Sequence, residues 1–160
     1  RTLMTRNPGF ASFGIVAALS LLLPAGLSAQ QPAAEEGRGR FAAIDLFVDS
    51  GKTPLAAYQV EFMATNGVVQ IAGIEGGEAA AFKEPPAYDP KAMQRDRVVL
   101  AGFSTSKDAA LPSGIVRIAT VHIRVSRDRA PGFELRLHAA ADSTGRRIAA
   151  KATYAERERP

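Results

Sequence analysis

The chain carries two histidines and no cysteine, so acid–base, nucleophilic or transition-metal chemistry would have to be built around His122 and His138. A catalytic triad or a zinc centre needs a histidine that converges with a serine, an acid or further histidines. His122 stands beside Arg124 on the polar side of its segment, and His138 follows Glu134 and Arg136, with no companion at a spacing that marks such a set. Both are expected to be solvated strand positions, and the chain is expected to be non-enzymatic. Calcium accepts oxygens from distant loops, and Asp45, Asp49, Asp89, Asp96 and Asp142 could meet at one end of a fold. No D-x-D-x-D-G series supports this, and Asp142-Ser143-Thr144-Gly145 reads as an ordinary turn, so no cofactor or metal is expected. Gly76-Gly77 and Gly102 lack the strand-to-helix transition of a phosphate loop. Tyr58, Tyr88 and Tyr154 are the only tyrosines and tryptophan is absent, a thin supply for stacking sugars.

Short strands must position these residues. Ala42, Ile44, Leu46 and Val48 alternate against Asp45 and Asp49, and Tyr58, Val60 and Phe62 alternate against Gln59, Glu61 and Met63, each the pattern of a half-buried strand. Asn66-Gly67, between the second strand and a third over 68–74, predicts a tight hairpin, because both residues tolerate positive φ. Segment 78–97 holds Pro85, Pro86 and Pro90, which allow a helical turn near 78–82 but no long helix. It is an excursion whose length suits either a functional loop or a plain crossing from one sheet to the other. Residues 97–105 look partly buried on both faces, which predicts a central strand. The sharpest signal is 113–126, where Ala119, Val121, Ile123 and Val125 oppose Thr120, His122 and Arg124, with a bulge expected near Arg117 and Ile118. Phe133, Leu135 and Leu137 alternate next, and a last pair of strands is expected around the turn at 142–145 and the run 146–154. Turn signals every ten residues or so point to an all-β sandwich of about seven to nine strands.

The ends of the chain read differently. Arg1 and Arg6 precede the apolar run 14–23 (GIVAALSLLL), then Pro24 and small residues up to Ala29, the layout of an export signal cut between Ala29 and Gln30. The run is half the length needed to span a bilayer, about 20 residues. The expected organisation is a signal at 1–29, a linker at 30–40, a folded domain at 41–155 and a solvated tail at 156–160. The net charge of +4 comes from 20 basic and 16 acidic residues. Without Arg1 and Arg6 the balance is 18 to 16, so neither a nucleic-acid surface nor, after cleavage, a membrane partner is expected. The address is periplasmic or extracellular.

Five segments, IDLFVD (44–49), LAAYQVEF (55–62), VQIAGIEGG (69–77), VLAGFST (99–105) and SGIVRIATVHIRV (113–125), carry a resemblance to the cohesin-like domain. That family has an opening strand, a turn, a strand with an aromatic-Gln core, a Gly-Gly corner and a later Gly-hydrophobic strand, and the likeness extends over 41–154. It implies an antiparallel jelly-roll sandwich of about eight to nine strands related to carbohydrate-binding modules. In cellulosomal members, which serve polysaccharide catabolism, it implies a face for a dockerin. On this footing the chain is expected to hold a protein partner, with Arg117, His122 and Arg124 on a sheet face, or Tyr88 and Asp89 in the loop 84–96, as the binding residues. The alternative is a polysaccharide-binding module using Tyr88; hydrolysis by paired carboxylates ranks third.

Overall fold

The computed structural model describes residues 39–66, 68–126 and 130–157, all within the compact unit Glu35–Pro160. The expected export signal, the cut at Ala29 and Gln30 and most of the linker lie outside the described residues. Seven strands are defined there: β1 (Arg40–Asp49), β2 (Ala57–Asn66), β3 (Val69–Gly76), β4 (Arg97–Phe103), β5 (Ile115–Val125), β6 (Gly132–Ala141) and β7 (Lys151–Glu156). They form two antiparallel sheets, a four-stranded one in the order β3-β5-β1-β7 and a three-stranded one in the order β4-β2-β6. Successive strands alternate between the sheets. The only helical pieces among the described residues are single 3-10 turns at Ala80–Phe82, Pro90–Ala92 and Asp108–Ala110. No described helix is long and apolar enough to cross a membrane.

The two-residue period places the core. Ile44, Leu46 and Val48 of β1, Val60 and Phe62 of β2, and Val121 and Ile123 of β5 are buried in one apolar cluster shared by both sheets. Phe62 stacks on Phe133 with ring centroids 5.3 Å apart. Tyr58 meets Phe82 edge-on at 5.2 Å and donates its hydroxyl to the Ile118 carbonyl at 3.2 Å, tying one sheet to the other. Burial pushes the Tyr58 phenol well above its ordinary pKa, so the ring stays neutral and donating. The expected bulge is present: the β1–β5 register shifts between Leu46 and Phe47, opposite β5 residues Ile118 and Ala119, both fully buried. That extra inward residue turns Arg117 back to the outer face beside Thr120, His122 and Arg124.

Three expectations are corrected. Asn66-Gly67 does not close a hairpin, because β2 is flanked by β4 and β6 while β3 pairs with β5 in the opposite sheet. β4 is an edge strand, not a central one. Val98 and Leu100 enter the core, while Val99, Ala101 and Phe103 face outward with appreciable exposure. Of the last expected pair only β7 is a strand; the stretch before it makes a single bridge, Arg147 to Ala141. The ends of the domain also reach further than the sequence pattern predicts. Arg40 opens β1, Glu156 ends β7 and Arg157 donates its N–H to the Ala43 carbonyl at 2.8 Å.

The excursion 78–96 runs along two sheet edges. Ala87 and Ala101 exchange main-chain bonds of 2.8 and 2.9 Å on the β4 edge, while Ile71 of β3 donates to Arg95 O and accepts from Gln94 N–H at 2.8 and 2.9 Å. One side of the molecule is thereby closed.

Candidate functional site

The outer face of the four-stranded sheet gathers most of the polar residues that the sequence singles out. In the β1–β5 register Arg124 lies opposite Phe41, His122 opposite Ala43, Thr120 opposite Asp45, Arg117 opposite Phe47 and Ile115 opposite Asp49. β3 sets Gln70 against Arg124 and Glu75 against Thr120 on the other flank.

Asp45 and Thr120 are the centre of a bonded network. The Thr120 hydroxyl, fully buried, donates to Asp45 Oδ1 at 2.6 Å and accepts from Arg117 Nη1 at 2.9 Å. Arg157 forks onto the same carboxylate, with Nη2 at 2.6 Å from Oδ1 and Nε at 3.1 Å from Oδ2, and Nη2 also reaches Thr120 Oγ1 at 3.0 Å. Arg117 is held further by the Gly76 carbonyl at 3.2 Å, and its main-chain N–H donates to Glu78 Oε1 at 3.0 Å. Burial raises the Asp45 pKa, but the bonds from Arg157 and Thr120 outweigh it and leave the carboxyl below the usual range. His122 Nε2 lies 3.0 Å from Glu75 Oε1, off the line of a hydrogen bond. Around this fixed centre Arg124 is exposed, as are Phe41 at 57% and Ile115 at 71%.

Tyr88 and Asp89 belong to the excursion instead. The Tyr88 ring is half-buried and packs against the core, and Asp89 Oδ1 accepts the Lys91 N–H at 2.9 Å, capping the turn at Pro90–Ala92. The fold therefore joins Arg117, His122 and Arg124 on one face and leaves the two loop residues elsewhere. Two other acids weighed for calcium are engaged locally: Asp49 accepts from Gly51 N–H, and Asp142 accepts from Thr144 and Arg146. Among the described residues, no three acids or histidines converge as a metal-binding group.

The opposite sheet holds a cluster that the sequence pattern does not reveal. Glu61, an outward residue of β2, is only 4% exposed, because Arg97 of β4 and His138 of β6 fold over it. Arg97 Nε donates to Glu61 Oε1, and His138 Nε2 lies 2.9 Å from Oε2. Both histidines thus face a carboxylate, each from another strand and at a separation that no spacing in the sequence marks. His138 and Glu61 are 77 residues apart in the chain, and only the pairing of β2 with β6 brings them together. The bond from His138, then that from Arg97, holds the Glu61 carboxyl below its ordinary value.

These depressed carboxyls set the pH response. Asp45, Glu61 and Asp142 all bind protons less readily when folded, so their stabilisation is complete above the ordinary values of 3.8 for Asp and 4.5 for Glu and is lost as pH falls through the lower folded values. The urea midpoint should fall progressively below about pH 4.5. Glu61→Gln should lower stability at neutral pH and make the acid fall shallower. An unchanged acid fall in Glu61→Gln would show that Glu61 has no part in it.

No family model, curated protein or solved structure matches the chain.

Proposed function

We propose that this domain is an exported, non-enzymatic binding module of the cohesin-like type, a jelly-roll sandwich that holds a protein partner on the outer face of its four-stranded sheet. The observation that carries the reading is the bonded network of Asp45, Thr120, Arg117 and Arg157 in the middle of that face, with exposed Phe41, Ile115 and Arg124 around it. A face whose polar groups are already fixed loses little side-chain freedom on binding. Aromatic residues and arginine are the side chains that interfaces enrich. The excursion 84–96 supports the reading less well, since Tyr88 packs inward and Asp89 caps its own turn. For the same reason Tyr88 is a poor platform for a sugar ring. Catalysis by Glu61 is disfavoured too, because a general acid needs a raised pKa and this carboxyl is held low between two basic side chains.

The test is affinity capture from the source secretome at about 10 μM bait, a concentration that retains micromolar complexes. A protein should be retained by the wild type and by Tyr88→Ala, and lost with the double variant Ile115→Asp, Arg124→Glu. Retention on polysaccharide that disappears in Tyr88→Ala would replace this reading with a carbohydrate-binding one. Absence of any partner sensitive to the double variant would overturn it.

A further inference from the structure

We infer that the chain associates with a second copy of itself, edge to edge along β6, extending the three-stranded sheet through a two-fold axis. β6 is the outer strand of that sheet. Main-chain direction follows from the neighbouring bonds: Ala64 N–H of β2 donates to Asp96 O beside β4, so the even residues of β2 face β4 and the odd ones face β6. Phe62 lies opposite Leu135, Val60 opposite Leu137 and Ala64 opposite Phe133, so these three β6 residues turn their N–H and C=O groups away from β2. The Tyr154 hydroxyl confirms the direction, donating to Phe133 O from outside the sheet at 3.0 Å. Beyond that point the edge is covered at its far end, where Arg147 Nη2 donates to His138 O and Ile148 N–H to Ala140 O at 3.1 and 2.9 Å. Among the described residues, Leu135 and Leu137 have no main-chain partner on this side. The excursion bonds the edges of β3 and β4, and Tyr154 occupies the edge at Phe133, so the stretch Leu135 to Leu137 is left as an uncovered strand edge.

The occupant is set by charge. An antiparallel pair of β6 strands centred on Leu135 places Leu135 beside the partner's Leu135, with reciprocal main-chain bonds there, and Phe133, whose carbonyl already accepts from Tyr154, beside the partner's Leu137. On the outer face the same register sets Glu134 opposite the partner's Arg136 and Arg136 opposite the partner's Glu134. Within one chain Arg136 Nε already donates to Glu134 Oε1 at 2.6 Å, so the dimer would bring four charges of alternating sign into one two-by-two cluster. β7, the corresponding edge of the other sheet, is built against the same association. Pairing centred on Tyr154 would set Lys151 opposite the partner's Arg157, like against like. The inference is independent of the partner-binding face, which lies on the other sheet and stays open in such a dimer.

Sedimentation velocity on the full chain from about 1 to 200 μM tests it, spanning the range of moderate self-affinities. A concentration-dependent dimer is expected. Glu134→Arg alone and Arg136→Glu alone should each raise the dimer dissociation constant about tenfold or more, since each sets like charges face to face. The double variant Glu134→Arg, Arg136→Glu should restore it, with circular dichroism confirming that all three variants fold. A monomer throughout the range, a dimer indifferent to the single reversals, or a double variant as weak as the singles would each overturn the inference.

Discussion

Gly76→Ala should be among the most damaging single substitutions in the domain. A Cβ at this position would lie 1.9 Å from the Lys83 carbonyl oxygen and 2.5 Å from its carbon, both main-chain atoms that no rotamer can move aside. The corner is held tightly from every side. Gly77 N–H donates to Phe82 O at 2.7 Å, Glu78 N–H to Arg117 O at 3.0 Å, and Gly76 O accepts from Arg117. Relief would require the chain at 82–84 to withdraw, which drags Phe82 off the Tyr58 ring and opens the core where the two sheets are joined. A loss of about 3 kcal/mol or more is expected, at the upper end of overpacking penalties. In a domain of this size that lowers the Tm by roughly 10 °C. Urea unfolding provides the measurement, and a loss below about 1 kcal/mol would mean that the corner yields without disturbing Phe82.

Asp45→Ala is expected to cost about 2 to 3 kcal/mol, because one carboxylate satisfies the buried Thr120 hydroxyl and both arms of Arg157. Its removal leaves Thr120 without its acceptor and sets Arg157 and Arg117 around the hydroxyl with no anion between them. The damage should be greatest in β7, whose residues are mostly exposed and whose end is fastened by Arg157 to Asp45 and Ala43. Amide exchange over Lys151–Glu156 should therefore accelerate more than exchange in β2 or β5. Asp45→Asn, which keeps one acceptor oxygen, should lose roughly half as much. Uniform acceleration across all strands, or a loss under about 0.5 kcal/mol, would count against the network as the fastening of this edge.

Much of the fold is legible in the sequence, and the residues explain which parts. Ile44, Leu46 and Val48 alternate with Asp45 and Asp49, and the structure buries the first three as their pattern predicts. The break in alternation at Arg117 and Ile118 marks a bulge, and the three-residue turn Ala80–Phe82 lies where prolines permit no more. β4 misled because Val98, Val99 and Leu100 are all apolar; hydropathy there cannot separate a strand with two covered faces from an edge strand with an exposed stripe. Asn66-Gly67 misled because a turn-forming pair specifies local φ and carries no information on which sheet the next strand joins.

The candidate site divides along the same line. Thr120, His122 and Arg124 were identifiable as outward residues of one strand, but Asp45, Glu75 and Arg157, which hold or face them, come from three other strands or their ends. Glu61 looked like one more wet-face residue until β4 and β6 laid Arg97 and His138 across it.

What the sequence determined by itself is which side of each strand faces the core, because a pleated strand turns successive side chains to opposite faces and hydrophobicity reports that local geometry directly. Which strand lies beside which was decided only by the tertiary structure. Every strand here finds its neighbours across the chain rather than next to it, and such pairing is settled by the closure of loops and the filling of a shared core, quantities that no short stretch of residues contains.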